Sequence, residues 1–198
     1  MSCRVENIIK HSEREVYQRH ANGDTADIVE TILYADARSG AFVLDGVECL
    51  RGATERDTLY NVWRFVRGNI TYRADRPGHE RVKSPGALFA EKKGDCKSFS
   101  IALGAILREL GYNYKYRFVS YVPGDVTHVY VIATGRNGQY ILDAVHNRFD
   151  EEVNYFQKKD IKPRLAAVSG ISGFSFDFST WLVWGGVALL AYSFLVRK

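Results

Sequence analysis

Cysteine is scarce in this sequence, which contains only Cys3, Cys49 and Cys96 among its 198 residues. The number is odd and no two cysteines are separated by two residues, so the spacing predicts neither a disulfide framework nor a zinc cluster. Three free thiols are typical of a protein from a reducing compartment.

The sequence also has little excess of charge of one sign. Its formal net charge is +4, from 27 lysines and arginines against 23 aspartates and glutamates, and these residues are scattered. We therefore expect no nucleic-acid partner. A basic group at residues 158–164 is interpreted as a solvated face. The alternative is a nucleic-acid contact that is sensitive to salt and is lost when those lysines become glutamates.

Patterns that bind metals or phosphates are missing as well. Glu91, Asp95 and Asp143 do not have the spacing of metal ligands, and no glycine-rich phosphate-binding loop occurs. The sequence therefore predicts no metal and no cofactor. Three histidines lie in polar surroundings and are predicted to be surface residues: His11, His20 and His79.

Long hydrophobic runs are absent except near the end, where residues 178–196 contain no charge. At about 1.5 Å per residue, a helix of this length just crosses a hydrocarbon core of ~30 Å. Trp181, Trp184 and Tyr192 lie near its two ends, as in an interfacial aromatic belt. We predict a transmembrane helix, the alternative being a hydrophobic helix docked on the domain.

The side of the membrane on which the domain lies stays open. Arg197 and Lys198, after the predicted helix, favour a C-terminus inside and a domain outside. The polar first 19 residues predict no secretory signal peptide. Together with free cysteines, this favours a single-pass protein whose domain faces the cytosol, or one in a membrane-containing virion.

The hydrophobic period divides the rest of the chain. Helical spacing dominates up to residue 110, and alternation then predicts strands at 114–122, 127–133 and 139–143. This order predicts an α+β fold, in which a helical N-terminal half packs on a small antiparallel sheet. We divide the chain into an N-terminal helical extension (1–53), a core (54–165), a linker (166–177) and the transmembrane helix (178–196).

Cys96 occupies the predicted start of a buried helix. Asp95 is a good N-cap because its carboxylate can accept free backbone N–H groups of the first turn. Apolar residues follow at helical spacing, and Gly111 suits the position after the helix ends. A thiolate is favoured at the positive end of a helix dipole. The position therefore indicates a nucleophile, the alternative being a buried structural cysteine.

His128 begins the second predicted strand and Asp143 ends the third. Pairing Ala133 with Gly138 sets His128 directly opposite Asp143, whereas pairing Ala133 with Gln139 puts the two on opposite faces. We predict the first register. A carboxylate against the imidazole would fix its tautomer and stabilise its protonated form. If the helix of Cys96 packs on that face, a thiolate–imidazolium pair results.

These residues resemble the transglutaminase-like superfamily. Cys96 is followed by His128 after 32 positions and by Asp143 after another 15, on a helix start and two neighbouring strands. The local strings also resemble the family over about residues 54–150: Gly94-Asp95-Cys96 with Leu107-Arg108 and Leu110-Gly111, then Thr127-His128-Val129, then Leu142-Asp143-Ala144. Papain-like enzymes place their histidine more than about a hundred residues after the cysteine. Tyr130 stands where the family often has tryptophan.

The resemblance implies a role for each residue. Cys96 would be the nucleophile, His128 the general base and acid, and Asp143 the group that orients His128. The implied activity is a cysteine-dependent peptidase, amidase or acyltransferase that acts on a peptide or protein through a thioester. Hydrolysis is expected over cross-linking because no acceptor site for an amine is visible. The alternative is a catalytically silent binding or structural module of a membrane or a membrane-containing virion.

Overall fold

The computed structural model describes residues 3–13, 16–17, 25–76, 80–124 and 126–163. The predicted α+β fold is confirmed, with helices first and a sheet after them. The helices are α1 (Val5–Ile8), α2 (Thr25–Ser39), α3 (Glu55–Asn69), α4 (Pro85–Glu91) and α5 (Cys96–Glu109), with 3-10 turns at Gly40–Phe42 and Asp45–Leu50. The strands are β1 (Val16–Tyr17), β2 (Thr71–Tyr72), β3 (Val82–Lys83), β4 (Lys93–Gly94), β5 (Asn113–Ser120), β6 (His128–Thr134), β7 (Gln139–Asp143), β8 (Arg148–Phe149) and β9 (Gln157–Ile161).

Helix α5 is the central element of the core. Every residue from 97 to 107 is buried, because α2, α3 and α4 cover one side of the helix and β5 and β6 cover the other. Leu103, Ile106 and Leu107 are each at most 1% exposed, and burying such side chains stabilises a fold by about 1.5–3 kcal/mol each. The helix that carries Cys96 is therefore held on all sides.

The main sheet has five strands in the order β8-β7-β6-β5-β9, all antiparallel. The alternation of the sequence predicted β5, β6 and β7 but not the two edge strands, β8 and β9. β9 contains Lys158 and Lys159, so part of the basic group lies on an edge strand. A two-residue parallel pair joins β2 to β4, immediately before Cys96.

Helices α3 and α5 both begin with a side-chain cap, and the predicted Asp95 cap of α5 is confirmed. Thr54 and Asp57 form a reciprocal capping box at the start of α3, and Asp95 caps α5 by accepting the Ser98 N–H. Gly111 follows α5 with a φ of 80°, a left-handed conformation that glycine adopts without steric cost.

The N-terminal segment is less helical than expected and belongs to the core. Helix α1 ends at Ile8, and a buried residue, Ile9, follows it. The expected helical character of the N-terminal extension is therefore not found at residues 9–13 and 16–17. Ile8, Ile9 and Ile32 are each at most 1% exposed and join the same hydrophobic core as α5.

The prediction of three free cysteines is wrong. Cys3 and Cys49 form a disulfide with their Cα atoms 5.5 Å apart, and Cys96 is the free cysteine. The two half-cystines are 46 residues apart in sequence, and only the packing of the N-terminal segment brings them within bridging distance. The argument from free thiols to a reducing compartment therefore no longer holds.

The predicted transmembrane helix lies outside the described residues, as does the linker before it. Within the described part of the chain, no helix has the length and apolar character needed to cross a membrane.

Gly46 provides a test of the N-terminal packing. A Cβ atom at Gly46 would lie 2.0 Å from the backbone oxygen of Asn7, whereas a Cβ at Gly68 has no neighbour within 4 Å. We expect Gly46→Ala to lower the free energy of unfolding by about 1–3 kcal/mol and Gly68→Ala to raise it by up to about 1 kcal/mol. Urea unfolding measures both. A neutral Gly46→Ala would contradict the close approach of the segment.

Candidate active site

Cys96 lies at the first position of α5 with its thiol half-buried. Asp95, which is 4% exposed, accepts hydrogen bonds at 3.2 Å from both the N–H and the hydroxyl of Ser98. The first turn of the helix is therefore fixed from the side chain of the preceding residue. The N–H of Cys96 itself points out of the helix end, where no earlier carbonyl is available to accept it.

A buried lysine, Lys97, joins the start of α5 to the segment around Asp75 and Glu80. The Lys97 ammonium donates to Asp95 and to Glu80 (2.5 Å), and Asp75 lies 3.7 Å away. Burial opposes the charge on Lys97, but Asp95 and Glu80 raise the pKa of Lys97, so that it stays protonated. The residue next to the thiol therefore carries a fixed positive charge.

His128 and Asp143 are in contact, although the predicted register is wrong by two residues. Ala133 pairs with Tyr140 instead of Gly138. Because side chains alternate with a period of two, a shift of two positions keeps His128 and Asp143 on the same face. Nε2 of His128 and Oδ2 of Asp143 are 2.7 Å apart, and both side chains are buried. The direct cross-strand pairing was wrong, while the predicted contact is present.

Helix α5 packs on the other face of β6 from the one that was assumed. Val129, Val131 and Ala133 share the core with α5, whereas Tyr130 and Ile132 belong to a separate cluster on the opposite face. The hydroxyl of Ser100, one turn after Cys96, donates to the carbonyl of Val129. The helix start thus lies over the beginning of β6, where His128 is the first residue of the strand and Cys96 is its electrostatic neighbour.

The electrostatics of the site favour a protonated histidine. Burial lowers the pKa of His128, but hydrogen bonds to Asp143 and Cys96 outweigh it and raise the pKa to about 9. Burial would raise the pKa of Asp143, yet the His128 hydrogen bond and the nearby positive charge lower it. His128 is therefore an imidazolium at neutral pH, between an anionic carboxylate and the thiol.

Further residues hold the Asp143 end of the site. Oδ1 of Asp143 accepts the N–H of Val145 at 3.0 Å. The indole N–H of Trp63, on α3, donates to the Asp143 carbonyl at 2.8 Å. The periodicity of α3 placed Trp63 on its buried face but carried no signal for this bond, because the bond joins residues 80 positions apart.

An aromatic shelf covers His128. The Tyr121 ring stacks on the imidazole with centroids 5.9 Å apart, and the Tyr121 hydroxyl lies 3.4 Å from Nε2 of His146. His146 is 41% exposed and its Nε2 is 3.7 Å from Oδ2 of Asp143. On the same strand as His128, the Tyr130 hydroxyl donates a hydrogen bond to the Glu152 carboxylate at 2.6 Å.

The remaining candidates lie away from the thiol or outside the description. His11 is exposed, and His20 and His79 lie outside the described residues. Glu91 pairs with Lys83 at 2.7 Å. Among the described residues, two groups have the spacing to hold a metal ion: His128 with Asp143 and His146, and Asp75 with Glu80 and Asp95. The second group already surrounds the Lys97 ammonium.

A family model for the transglutaminase-like superfamily matches residues 48–144, a range that contains all three candidate residues. This part of the chain belongs to the transglutaminase-like superfamily. A comparison with curated protein sequences finds no match.

Solved structures similar to this transglutaminase-like chain share little sequence with it. A candidate protease from Parabacteroides distasonis is 13% identical over 57% of the chain, with a TM-score of 0.42. EGTA-treated LapG from Legionella pneumophila is 15% identical over 78% of the chain and 96% of LapG, with a TM-score of 0.48. A candidate cysteine protease from Cytophaga hutchinsonii is 13% identical over 78% of the chain and 57% of that protein, with a TM-score of 0.37. The chain spans about a quarter of the Parabacteroides protein, of which it covers 26%.

Proposed function

We propose that this chain is a cysteine-dependent hydrolase or acyltransferase that acts on an amide bond of a peptide or protein. The observation that carries the proposal is the 2.7 Å hydrogen bond between His128 and Asp143. Burial opposes the charge on His128, but Asp143 and the neighbouring Cys96 raise the pKa of His128 to about 9. A thiolate beside an imidazolium is the form in which cysteine attacks carbonyl carbon.

The proposed reaction has two halves. The Cys96 thiolate adds to the amide carbon, and the N–H of Cys96 donates to the oxyanion. His128 gives its proton to the leaving amine, the C–N bond breaks and a thioester remains. Water then adds to the thioester while His128 takes its proton, the C–S bond breaks, and a carboxylic acid leaves with Cys96 free again. An amine in place of the water would make the reaction an acyl transfer.

Thiol alkylation tests the ion pair without a substrate. With the disulfide intact, Cys96 is the single free thiol, so iodoacetamide reports on it alone. Because His128 is protonated below about pH 9, we expect a rate that changes little between pH 6 and 8. In His128→Ala the rate should climb with pH as for a lone thiol, whose ordinary pKa is about 8.5. At pH 6.5 the variant should react about 100-fold more slowly.

His146→Ala is the matched control, because it removes a half-exposed histidine of the same site that does not bond to Cys96. We expect it to keep the flat profile, and circular dichroism shows whether both variants are folded. A wild-type rate that climbs with pH like that of His128→Ala would contradict the proposed function and favour a catalytically silent module.

Membrane attachment through residues 178–196 is the second part of the proposal. Resistance of the full chain to extraction by alkaline carbonate would support it, and release would contradict it. The cytosolic placement of the domain is open to a direct test, since the Cys3–Cys49 disulfide favours an oxidising compartment. Labelling of Cys96 in intact cells by a membrane-impermeant maleimide would contradict the cytosolic side.

A further inference from the structure

A cleft of about 600 Å³ opens beside the candidate active site. Its walls are the C-terminal half of α3, the strand β2 and the turn that follows β7. The side chains that line it include Trp63, Arg64, Arg67, Tyr72, Val145 and Asn147. Clefts of this size hold a side chain or a small ligand.

The cleft reaches both ends of the catalytic arrangement. On one wall, Tyr72 in β2 pairs with Gly94 in β4, two residues before Cys96. On the other wall, Trp63 donates its indole N–H to the Asp143 carbonyl at 2.8 Å. The cleft therefore borders the two segments that carry Cys96 and Asp143.

The charge in the cleft has one sign. Arg64 and Arg67 line it, and among the described residues no aspartate or glutamate does. Arg67 donates to the carbonyls of Ala144 (2.9 Å) and Val145 (2.8 Å) and to the Asn147 side chain (3.1 Å), which are neutral acceptors. The positive charge of Arg67 is therefore not neutralised by a carboxylate.

Arg64 is available to a ligand. Its side chain is exposed, and across residues 3–13, 16–17, 25–76, 80–124 and 126–163 it has no hydrogen bond or ion pair. Two acids of the candidate active site are already engaged, Asp143 by His128 and Asp95 by Lys97.

The walls also suit an apolar stem. Tyr60 and Tyr72 are 40% and 47% exposed, so their rings offer surface on which a methylene chain or a peptide backbone can pack. An arginine pairs with a carboxylate by charge-assisted hydrogen bonds. A side chain with a short apolar stem and a terminal carboxylate complements both features.

We infer that this cleft is the subsite for an acidic residue of the substrate next to the scissile amide, with the Arg64 guanidinium as the partner of its carboxylate. The inference rests on the proposed function, because it takes Cys96 as the point of attack.

Two affinity labels that differ in one group test it on the full chain: iodoacetyl-glutamic acid amide and iodoacetyl-glutamine amide. Both alkylate Cys96, and only the first carries a carboxylate on its side chain. We expect wild type to react about tenfold faster with the glutamic acid label, as one charge-assisted hydrogen bond allows. In Arg64→Gln the ratio of the two rates should fall to about one.

Two control variants separate a specific contact from the general field of the protein. Arg64→Lys keeps the charge and should restore part of the ratio. Arg136→Gln removes an exposed arginine at the β6–β7 hairpin, outside the cleft, and should leave the ratio unchanged. A wild-type ratio near one, or a ratio that Arg64→Gln does not change, would overturn the inference.

The outcome is distinguishable from a failure of the proposed function. If His128→Ala slows iodoacetamide while Arg64→Gln has no effect on the ratio, the proposed chemistry stands and the acidic subsite is wrong. If His128→Ala leaves the iodoacetamide rate unchanged, the proposed chemistry itself is wrong.

Discussion

Replacing Asp143 with asparagine is expected to lower kcat/KM for dye-labelled casein by about 10³–10⁴-fold. The amide keeps the shape of the side chain but removes the negative charge 2.7 Å from Nε2 of His128. Without that charge the pKa of His128 falls, and the proton that the leaving amine needs is no longer held at neutral pH. The iodoacetamide rate of Asp143→Asn should then begin to change with pH well below pH 9. A loss of stability alone would not produce that change.

Asp150→Asn is the matched control for this variant. Asp150 lies in the same part of the chain with a φ of 61°, which asparagine tolerates. It accepts the Ile141 N–H at 3.1 Å and pairs with Arg56, away from His128. The kcat/KM of Asp150→Asn should stay within about twofold of the wild-type value. Equal losses in both variants would show that the effect of Asp143→Asn is structural.

Replacing Asp36 with alanine is expected to lower the free energy of unfolding by about 3–5 kcal/mol. Asp36 is 1% exposed on α2. Its carboxylate accepts hydrogen bonds from Tyr114 (2.6 Å), Tyr116 and Arg108. Alanine would leave an arginine and two hydroxyl groups without their acceptor in the core, where the cost of an unpaired polar group is high. Urea unfolding measures the loss.

Asp45→Ala is the comparison for Asp36→Ala, because Asp45 is exposed at the start of a 3-10 turn. We expect a change within about 0.5 kcal/mol. Asp36→Asn, which keeps an acceptor oxygen, should recover part of the stability. A loss below about 1 kcal/mol for Asp36→Ala would contradict a close-packed polar network between α2, α5 and β5.

Local rules were sufficient for the elements around Cys96. The Asp95 cap, the apolar spacing of α5 and Gly111 depend on residues within one or two helical turns of each other, so the sequence carries them directly. The side chains of β6 and β7 that share a face were also predictable, because side chains alternate between the two faces of a strand whatever its partner. The His128–Asp143 contact followed from this alternation, although the register differed by two residues.

Long-range packing decided what the sequence left open. The Cys3–Cys49 disulfide and the Trp63–Asp143 hydrogen bond join residues 46 and 80 positions apart. The placement of α5 on the Val129 face also depends on which surfaces the other helices cover. No local pattern reports any of these contacts.

The sequence by itself determined the α+β order and the Asp95 cap, and it indicated Cys96, His128 and Asp143 as candidates, because helix and strand periods and local motifs depend on nearby residues. Only the tertiary structure decided that His128 is held between Asp143 and the thiol, and that a positively charged cleft lies beside them. Both depend on distances between elements, and those distances are set when apolar faces pack together.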